Sequence, residues 1–462
     1  MNISVTLTPE LRLGQALKQA GVKDPATISR LTVAGKLTED DFLYIHENMA
    51  KTLHELDMGD ASAVKIGIKY LHFYLYFAGC SGLTAINVHP DNPYFVSENG
   101  VLFDKYKTKL INYPAGRKGD YTIPDKTFEI GRHAFSHCTG LTSVIIPSSV
   151  KKIREGAFYN CKGLKSVTIP SSVTVIESQT FGNCIDLKSV VIPSSVTEIE
   201  CGYYGAFAGC IRMVSFEVHP ANSKYASING VLFNKRKTRL IKYPAGSQGD
   251  YIIPKSVKDI DIFSFADCTG LTTITIHPDN PFLESENGIV FNKDKNKLLL
   301  FPPGWQGEYV IPCSVTNVNH LDSQRCTDLT SFFANSDHPF FKSENGVLFN
   351  KDKTELIKYP QGRHGDYVIP DSVIEIRDNA FECCSGLTAV TIPSLVTRID
   401  NNAFLNCTGL KTITIPASVI EIGHFAFAHF FEELRISITV HPDNPVYESV
   451  NGKLKRKRKT KK

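Results

Sequence analysis

What most constrains this chain is a segment that returns every 23 residues. AFYNCKGLKSVTIPSSVTVI from Ala157, TFGNCIDLKSVVIPSSVTEI from Thr180 and AFLNCTGLKTITIPASVIEI from Ala403 share one pattern, A-F-x-x-C-x-x-L-x-x-V-x-I-P-x-S-V-x-x-I. Cys138, Cys161 and Cys184 are spaced by 23, as are Cys384 and Cys407. A second spacing of 58 separates Cys80 from Cys138, Cys210 from Cys268, Cys268 from Cys326 and Cys326 from Cys384. Since 58 exceeds 23 by 35, four coils have each received a 35-residue insert, near 89–123, 219–253, 277–311 and 335–369. Cys184 and Cys210 are 26 apart, which marks a short three-residue insertion around Cys201 to Tyr204. Self-similarity at such a period is the signature of a solenoid.

Each copy reads as one coil. Leu164, Val167 and Ile169 point inward from a strand, Pro170 turns the chain, and Val173 with Ile176 forms a second inward stretch. Phe158 and Cys161 close the coil in a short helical or 3₁₀ turn. Six or seven buried side chains at about 2 kcal/mol each cannot offset roughly 1–2 kcal/mol of backbone entropy per ordered residue. A lone coil therefore cannot fold, and stacking in parallel register at about 4.8 Å per coil is required. Ten coils are counted at the Cys position, from Cys80 to Phe430, predicting a β-dominated α/β solenoid with a parallel sheet.

The inserts read H-P-x-N-P…E-N-G-V-L-F-N-K-x-K-T-x-L-I-x-Y-P-x-G-x-x-G-D-Y, starting at His89, His219, His277 and Asn335. Val347–Asn350, a polar turn over Lys351–Thr354 and Leu356–Tyr359 predict a β-hairpin. The prolines and glycines place these hairpins on the flank of the stack, out of the ladder. Residues 1–66 lack the repeat and predict an α/β cap over the open end, with the solenoid over 67–450 and a basic tail over 451–462. In the cap, a helix is expected over Leu11–Ala20 and a strand over Ser29–Val33. Thr38 is expected to start a second helix carrying Phe42, Ile45 and Met49, with a strand through Leu53, Leu56 and Met58 after it.

The coil motif resembles the BspA-like leucine-rich-repeat family, over roughly residues 68–450. The resemblance implies a right-handed leucine-rich-repeat solenoid, frequent export to the cell surface, and adhesion to host proteins or other cells. Three features depart from the family: Met1–Glu10 lacks the basic start and apolar core expected of an export signal, Asp322-Ser323 replaces Ala-Phe near Cys326, and Phe430 stands at the last Cys position.

Chemistry-bearing residues follow the repeat. Nine of the twelve cysteines are in register: Cys80, Cys138, Cys161, Cys184, Cys210, Cys268, Cys326, Cys384 and Cys407. Stacking would bring neighbours within disulfide range. Phe430 in the same slot favours buried free thiols filling a small apolar site. Cys201, Cys313 and Cys383 are off register, and no C-x₂-C pair suggests zinc. His89, His219, His277 and His441 recur in one turn motif, whereas catalysis needs a single assembled constellation. The G-x-x-G-[DE]-Y loops lead into strands and lack the Lys-Ser/Thr of a phosphate loop. No catalytic residue, metal ligand or cofactor is therefore expected, and the chain is read as non-enzymatic.

Net charge is +4, but eight basic residues fall within Lys453–Lys462, and the rest carries 43 basic against 47 acidic residues. That mildly acidic body excludes a nucleic-acid-binding surface, apart from a weak polyanion contact by the tail. The longest apolar run, Tyr70–Ala78, is far short of the ~20 residues of a membrane helix. His441–Gly452 begins a fifth insert, so the tail reads as a charge-enriched remnant of one; a functional basic arm is the other reading.

The expected binding face is formed by outward residues between the inward Leu, Val and Ile. One row holds Ser143, Ser166, Ser189, Ser215, Thr273, Ser331, Ala389 and Thr412. A parallel row holds Ile145, Thr168, Val191, Glu217, Thr275, Phe333, Thr391 and Thr414. Such a flat, low-charge ladder suits extended contact with a protein or glycan. Projecting hairpin tips, with Lys235, Arg236 and Lys237, and Phe301 with Trp305, are expected to add hot-spot anchors. The function expected is a binding scaffold, either a cell-surface adhesin or an intracellular scaffold tethered by its tail.

Overall fold

The computed structural model describes residues 1–58, 77, 79–202, 204–261, 263–302, 305–318, 328–428 and 436–457. Asp322-Ser323, Cys326, Phe430 and the tail beyond Lys457 lie outside the described residues, as does the run 70–78 apart from Phe77. Contacts divide the chain into two compact units, Met1–Ser247 and Gln248–Lys462.

In the first unit, strands Asn2–Thr6, Arg30–Ala34 and Glu55–Met58 pair in parallel, in chain order, and pass directly to the first repeat strand, Ala85–Val88. Helices Leu13–Gln19 and Glu39–Met49 link them. The second helix starts at Thr38 because Asp41 reaches back, accepting from Thr38 N and Oγ1 at 2.8 Å each. The buried Asp41 also pairs with Arg12 at 3.1 Å, and Phe42, Ile45 and Met49 lie in the core as the stripe predicts. The Asn2–Thr6 strand alternates Ile3 and Val5 with Ser4 and Thr6, and Val5 is buried and Ile3 half-buried while the polar residues are exposed.

Stacked coils follow in each unit, built as the motif requires. Strand residues Val144, Val167 and Val190 are buried, and Leu141–Ile145 pairs in parallel with Ser166–Val167. Phenylalanines of the A-F turn stack face to face: Phe135 on Phe158 at 4.8 Å, Phe158 on Phe181 at 5.5 Å, Phe181 on Phe207 at 5.6 Å. In the second unit Phe381, Phe404 and Phe427 repeat the stack at 4.7 and 5.4 Å. The serine of P-x-S-V has its own task. Ser172 Oγ donates to Val150 O, Ser195 to Val173 O and Ser418 to Val396 O, each reaching the coil before it. These bonds satisfy carbonyls that the turn leaves without a ladder partner.

The inserts are more than flanking hairpins. In the first, Phe95–Glu98 and Val101–Asp104 form an antiparallel hairpin, and Lys109–Asn112 adds a third strand. That third strand then pairs in parallel with Glu129–Ile130 of the next coil, so it belongs to the stack. Gly119–Thr122 likewise pairs in parallel with Leu141–Ile145 of the main sheet. Each insert therefore contains a coil without cysteine, in addition to the ten counted at the Cys position. Tyr113 takes the Phe slot in it, 4.9 Å from Phe135, as Tyr359 does 5.1 Å from Phe381. The hairpin itself seals the edge of the preceding strand, since Ile86 N donates to Gly100 O and Phe332 N to Gly346 O, both at 2.9 Å.

Candidate interaction surfaces

The outward face is set by strand register. In the first unit Asp120, Ser143 and Ser166 lie side by side, as do Ser189 and Ser215. The neighbouring row aligns Thr122 with Ile145, Thr168 with Val191, and Val191 with Glu217. In the second unit Ile252 aligns with Thr275, Val310 with Phe333, Val368 with Thr391, and Thr414 with Thr439.

Two features differ from the sequence expectation. First, the insert coils contribute Thr122, Ile252, Val310 and Val368 to the second row, so large apolar side chains alternate there with threonines. Ile145, Val191, Ile252, Val310, Phe333 and Val368 are between 46% and 68% exposed, which is high for large apolar side chains. Second, the first row is not open throughout. Ser215, Thr273 and Ser331 lie against the Asn-Gly turn of the following insert, where a Cβ on Gly230 would come 3.2 Å from Ser215 Oγ and one on Gly288 3.4 Å from Thr273 Cγ2. Ser166, Ala389 and Thr412 are exposed, while Ser143 and Ser189 are half-buried. The insert-coil aspartates of the first row are already engaged. Thr142 Oγ1 donates to Asp120 at 2.6 Å and Thr388 to Asp366 at 2.5 Å; with a further bond from Ser143, this lowers the Asp120 pKa.

The hairpin tips are built turns. Asn234 Oδ1 accepts from Thr238 N at 2.8 Å and Arg239 N at 3.0 Å, and Lys237 adopts the left-handed region at φ 57°. Lys235 does not project freely, because its Nζ donates to Pro220 O at 3.0 Å. Lys105 and Lys351 fold back in the same way onto Pro90 O and Ser336 O. Lys235, Arg236 and Lys237 are all exposed at this tip. The aromatic anchor is placed elsewhere: Phe301 is buried, and half-buried Trp305 packs edge-on against it at 5.1 Å. Trp305 occupies the position of Arg117 and Arg363, which lie over Tyr113 and Tyr359 at 5.3 and 5.4 Å. It is a clamp of the insert coil and not a hairpin tip.

The cysteine and histidine motifs have structural roles. Cys161 Sγ donates to Phe135 O at 2.9 Å, Cys184 to Phe158 O at 3.2 Å and Cys407 to Phe381 O at 2.9 Å. Burial pushes the Cys80 thiol up to about 12 and raises those of Cys161, Cys184 and Cys407. Nδ1 of His89, His277 and His441 accepts the backbone N–H two residues on, closing the H-P turn. Asn222 and Asn444, buried in that turn, donate through Nδ2 to two carbonyls of the coil before. His338 stands in for them in the fourth insert, with Nε2 3.1 Å from Pro312 O.

Stacked parallel coils with an inward Leu, Val, Ile and Phe core define a leucine-rich-repeat protein. The profile of the BspA-type leucine-rich-repeat region matches six copies, over residues 119–239, 243–295 and 365–442, and the chain belongs to that family. A leucine-rich-repeat protein from Eubacterium ventriosum is 22% identical over 73% of this chain and 93% of its own, with a TM-score of 0.39. A leucine-rich cell-surface protein from Faecalibacterium prausnitzii is 22% identical over 72% and 85%, with a TM-score of 0.33. The pneumococcal vaccine antigen PcpA is 16% identical over 76% and 82%, with a TM-score of 0.30. No curated protein matches the chain. Among the described residues, no helix is long and apolar enough to cross a membrane.

Proposed function

We propose that the chain is a non-enzymatic scaffold that binds a protein partner through the outward faces of its sheets. The observation that carries this reading is the set of large apolar side chains, Ile145 and Val191 in one unit and Ile252, Val310, Phe333 and Val368 in the other, exposed on the sheet strands. Apolar side chains in line on a sheet, rimmed by Ser and Thr, have the composition of an interface core with a polar rim. Family membership supports a scaffold role, and display at a cell surface is the setting we assign to it. The division into a cap over 1–66, a solenoid over 67–450 and a tail from 451 is part of the same proposal. Hairpin Tyr447–Arg456, with Lys457 Nζ bonded to Asn444 O, repeats the insert geometry and favours the repeat reading of the tail over a free arm.

The test uses a photocrosslinking amino acid at position 145, with position 420 as the control on the V-x-x-I side. Protein adducts specific to position 145, and lost in Val191→Glu, support the reading. Equal adducts from both positions, or none from position 145, reject it.

A further inference from the structure

A separate feature of the second unit lies on the V-x-x-I side of its coils. Every insert interrupts the row of V-x-x-I strands, and the hairpin residue three after the buried Asn or His faces the gap. Where that residue is tyrosine, its hydroxyl completes the row: Tyr225 accepts from Ile199 N at 2.9 Å and Tyr447 from Ile422 N at 3.0 Å. In the fourth insert the position holds Phe341, and Val318 stands where Ile199 and Ile422 do. Phe341 has no hydroxyl to offer. A cleft of about 400 Å³ opens there, lined in part by Val318, Phe341, Ile357, Lys358, Asp378 and Asn379.

Lys358 gives this cleft its chemistry. Its side chain is 4% exposed, and its Nζ donates to Asn379 O at 2.7 Å. Among the described residues it makes no ion pair. The acids of the wall are committed elsewhere, Glu355 to Arg377 at 3.6 Å and Asp378 Oδ1 to Asn401 N at 2.9 Å. Asn112, Lys242 and Leu300 hold the same place in the first, second and third inserts, and two of the three are uncharged, so the fold does not require a cation there. A buried ammonium without a counter-ion is unfavourable, and an anion brought by a ligand relieves it.

We propose that this cleft binds a small hydroxylated carboxylic acid of the sugar-acid class. The carboxylate accepts from Lys358 Nζ, and the hydroxyls pair with the Asn379 amide and the second oxygen of Asp378. One face of the ring rests on Val318, Ile357 and Phe341. A free sugar acid and a uronate at the end of a glycan share this chemistry.

The experiment is calorimetric titration of the full chain with glucuronate, with a glucuronate-terminated disaccharide, and with glucose. Saturable binding of either acid, at least tenfold tighter than glucose, is expected. Lys358→Met should weaken binding tenfold or more. Phe341→Tyr should do the same while raising Tm, because the added hydroxyl fills the cleft and reaches Val318 N as Tyr225 reaches Ile199. Binding of the free acid alone locates a soluble metabolite site, and binding of the disaccharide a glycan end. No binding of either acid, equal binding of glucose, or undiminished binding by a folded Phe341→Tyr variant overturns the proposal.

Discussion

Among the described residues, the one before each in-register cysteine adopts a left-handed backbone, at φ 62° for His137, 60° for Asn160, 57° for Asn183 and 58° for Asn406. Asparagine tolerates that region best among non-glycine residues, which accounts for N-C recurring in the motif. The cysteine that follows is buried and spends its S–H on the preceding coil, as Cys161 and Cys184 do. The slot was legible in the sequence as a small apolar site, but the donor role was not, since spacing says nothing of which carbonyl is left over. Burial and raised pKa values predict that a thiol reagent will modify exposed Cys201 and Cys313 in the native protein and the in-register thiols only after denaturation. Rapid native modification of Cys161 or Cys184 in a mass map would refute that placement. His137 adds a pH dependence, because its ring lies 2.8 Å from the Asn160 amide and is held neutral, mainly by burial and then by Lys162. Burial, with lesser contributions from His137 and Arg132, pulls His133 down to about 4 from 6.5. Both rings stay unprotonated in the fold, so the unfolded chain takes the proton first. Stability is then complete above pH 6.5 and declines as pH falls toward 4, by about 2 kcal/mol at pH 5 from His133. Urea midpoints at pH 7.5 and 5 should show this fall, and a His133→Gln, His137→Asn variant should flatten it.

At the scale of elements, the inserts show how far a repeat consensus carries. Their hairpins were legible from E-N-G-V-L-F-N and the K-x-K-T turn, and all four form. Their coil was not, because its strand reads G-D-Y-x-I without the Leu and Cys that mark the others. The signal was present in spacing: Tyr121, Ile123 and Pro124 each precede Val144, Ile146 and Pro147 by 23. Trp305 reads as a tip residue from sequence because its counterparts Arg117 and Arg363 share its place but not its chemistry. The Asn-Gly turn is where an insert meets the sheet. Gly346 has φ 74°, and a Cβ there would fall inside contact distance of Ser331 Oγ while the backbone holds the bond from Phe332 N. Gly346→Ala combines a strained left-handed alanine with that clash and should cost about 1–3 kcal/mol. Ser331→Ala removes the clash, so the double variant should recover part of the loss in urea melts. A double variant no more stable than Gly346→Ala alone would show that backbone strain is the whole effect.

At the scale of the molecule, each unit distributes its stability along stacked coils that touch only their neighbours. Phe158 has Phe135 at 4.8 Å on one side and Phe181 at 5.5 Å on the other, and is fully buried. Truncation to alanine leaves a cavity that the stacked rings cannot close without breaking their own contacts, so Phe158→Ala should cost about 3–5 kcal/mol. In a globular core that loss would appear everywhere at once. In a nearest-neighbour array it is local, because opening one coil exposes only the two faces it shares. Hydrogen exchange should therefore show protection lost first at Ile153–Ile176, then at the flanking strands Leu141–Ile145 and Ser189–Ile192. The strands Asn2–Thr6 and Arg30–Ala34, several coils away in the same unit, should exchange at the unmodified rate. Uniform loss across Met1–Ser247 would instead mean that the cap and its coils open as one cooperative block. The helices Leu13–Gln19 and Glu39–Met49 would then do more than cover the end of the sheet, and the capping-box residue Asp41 would be the next position to test.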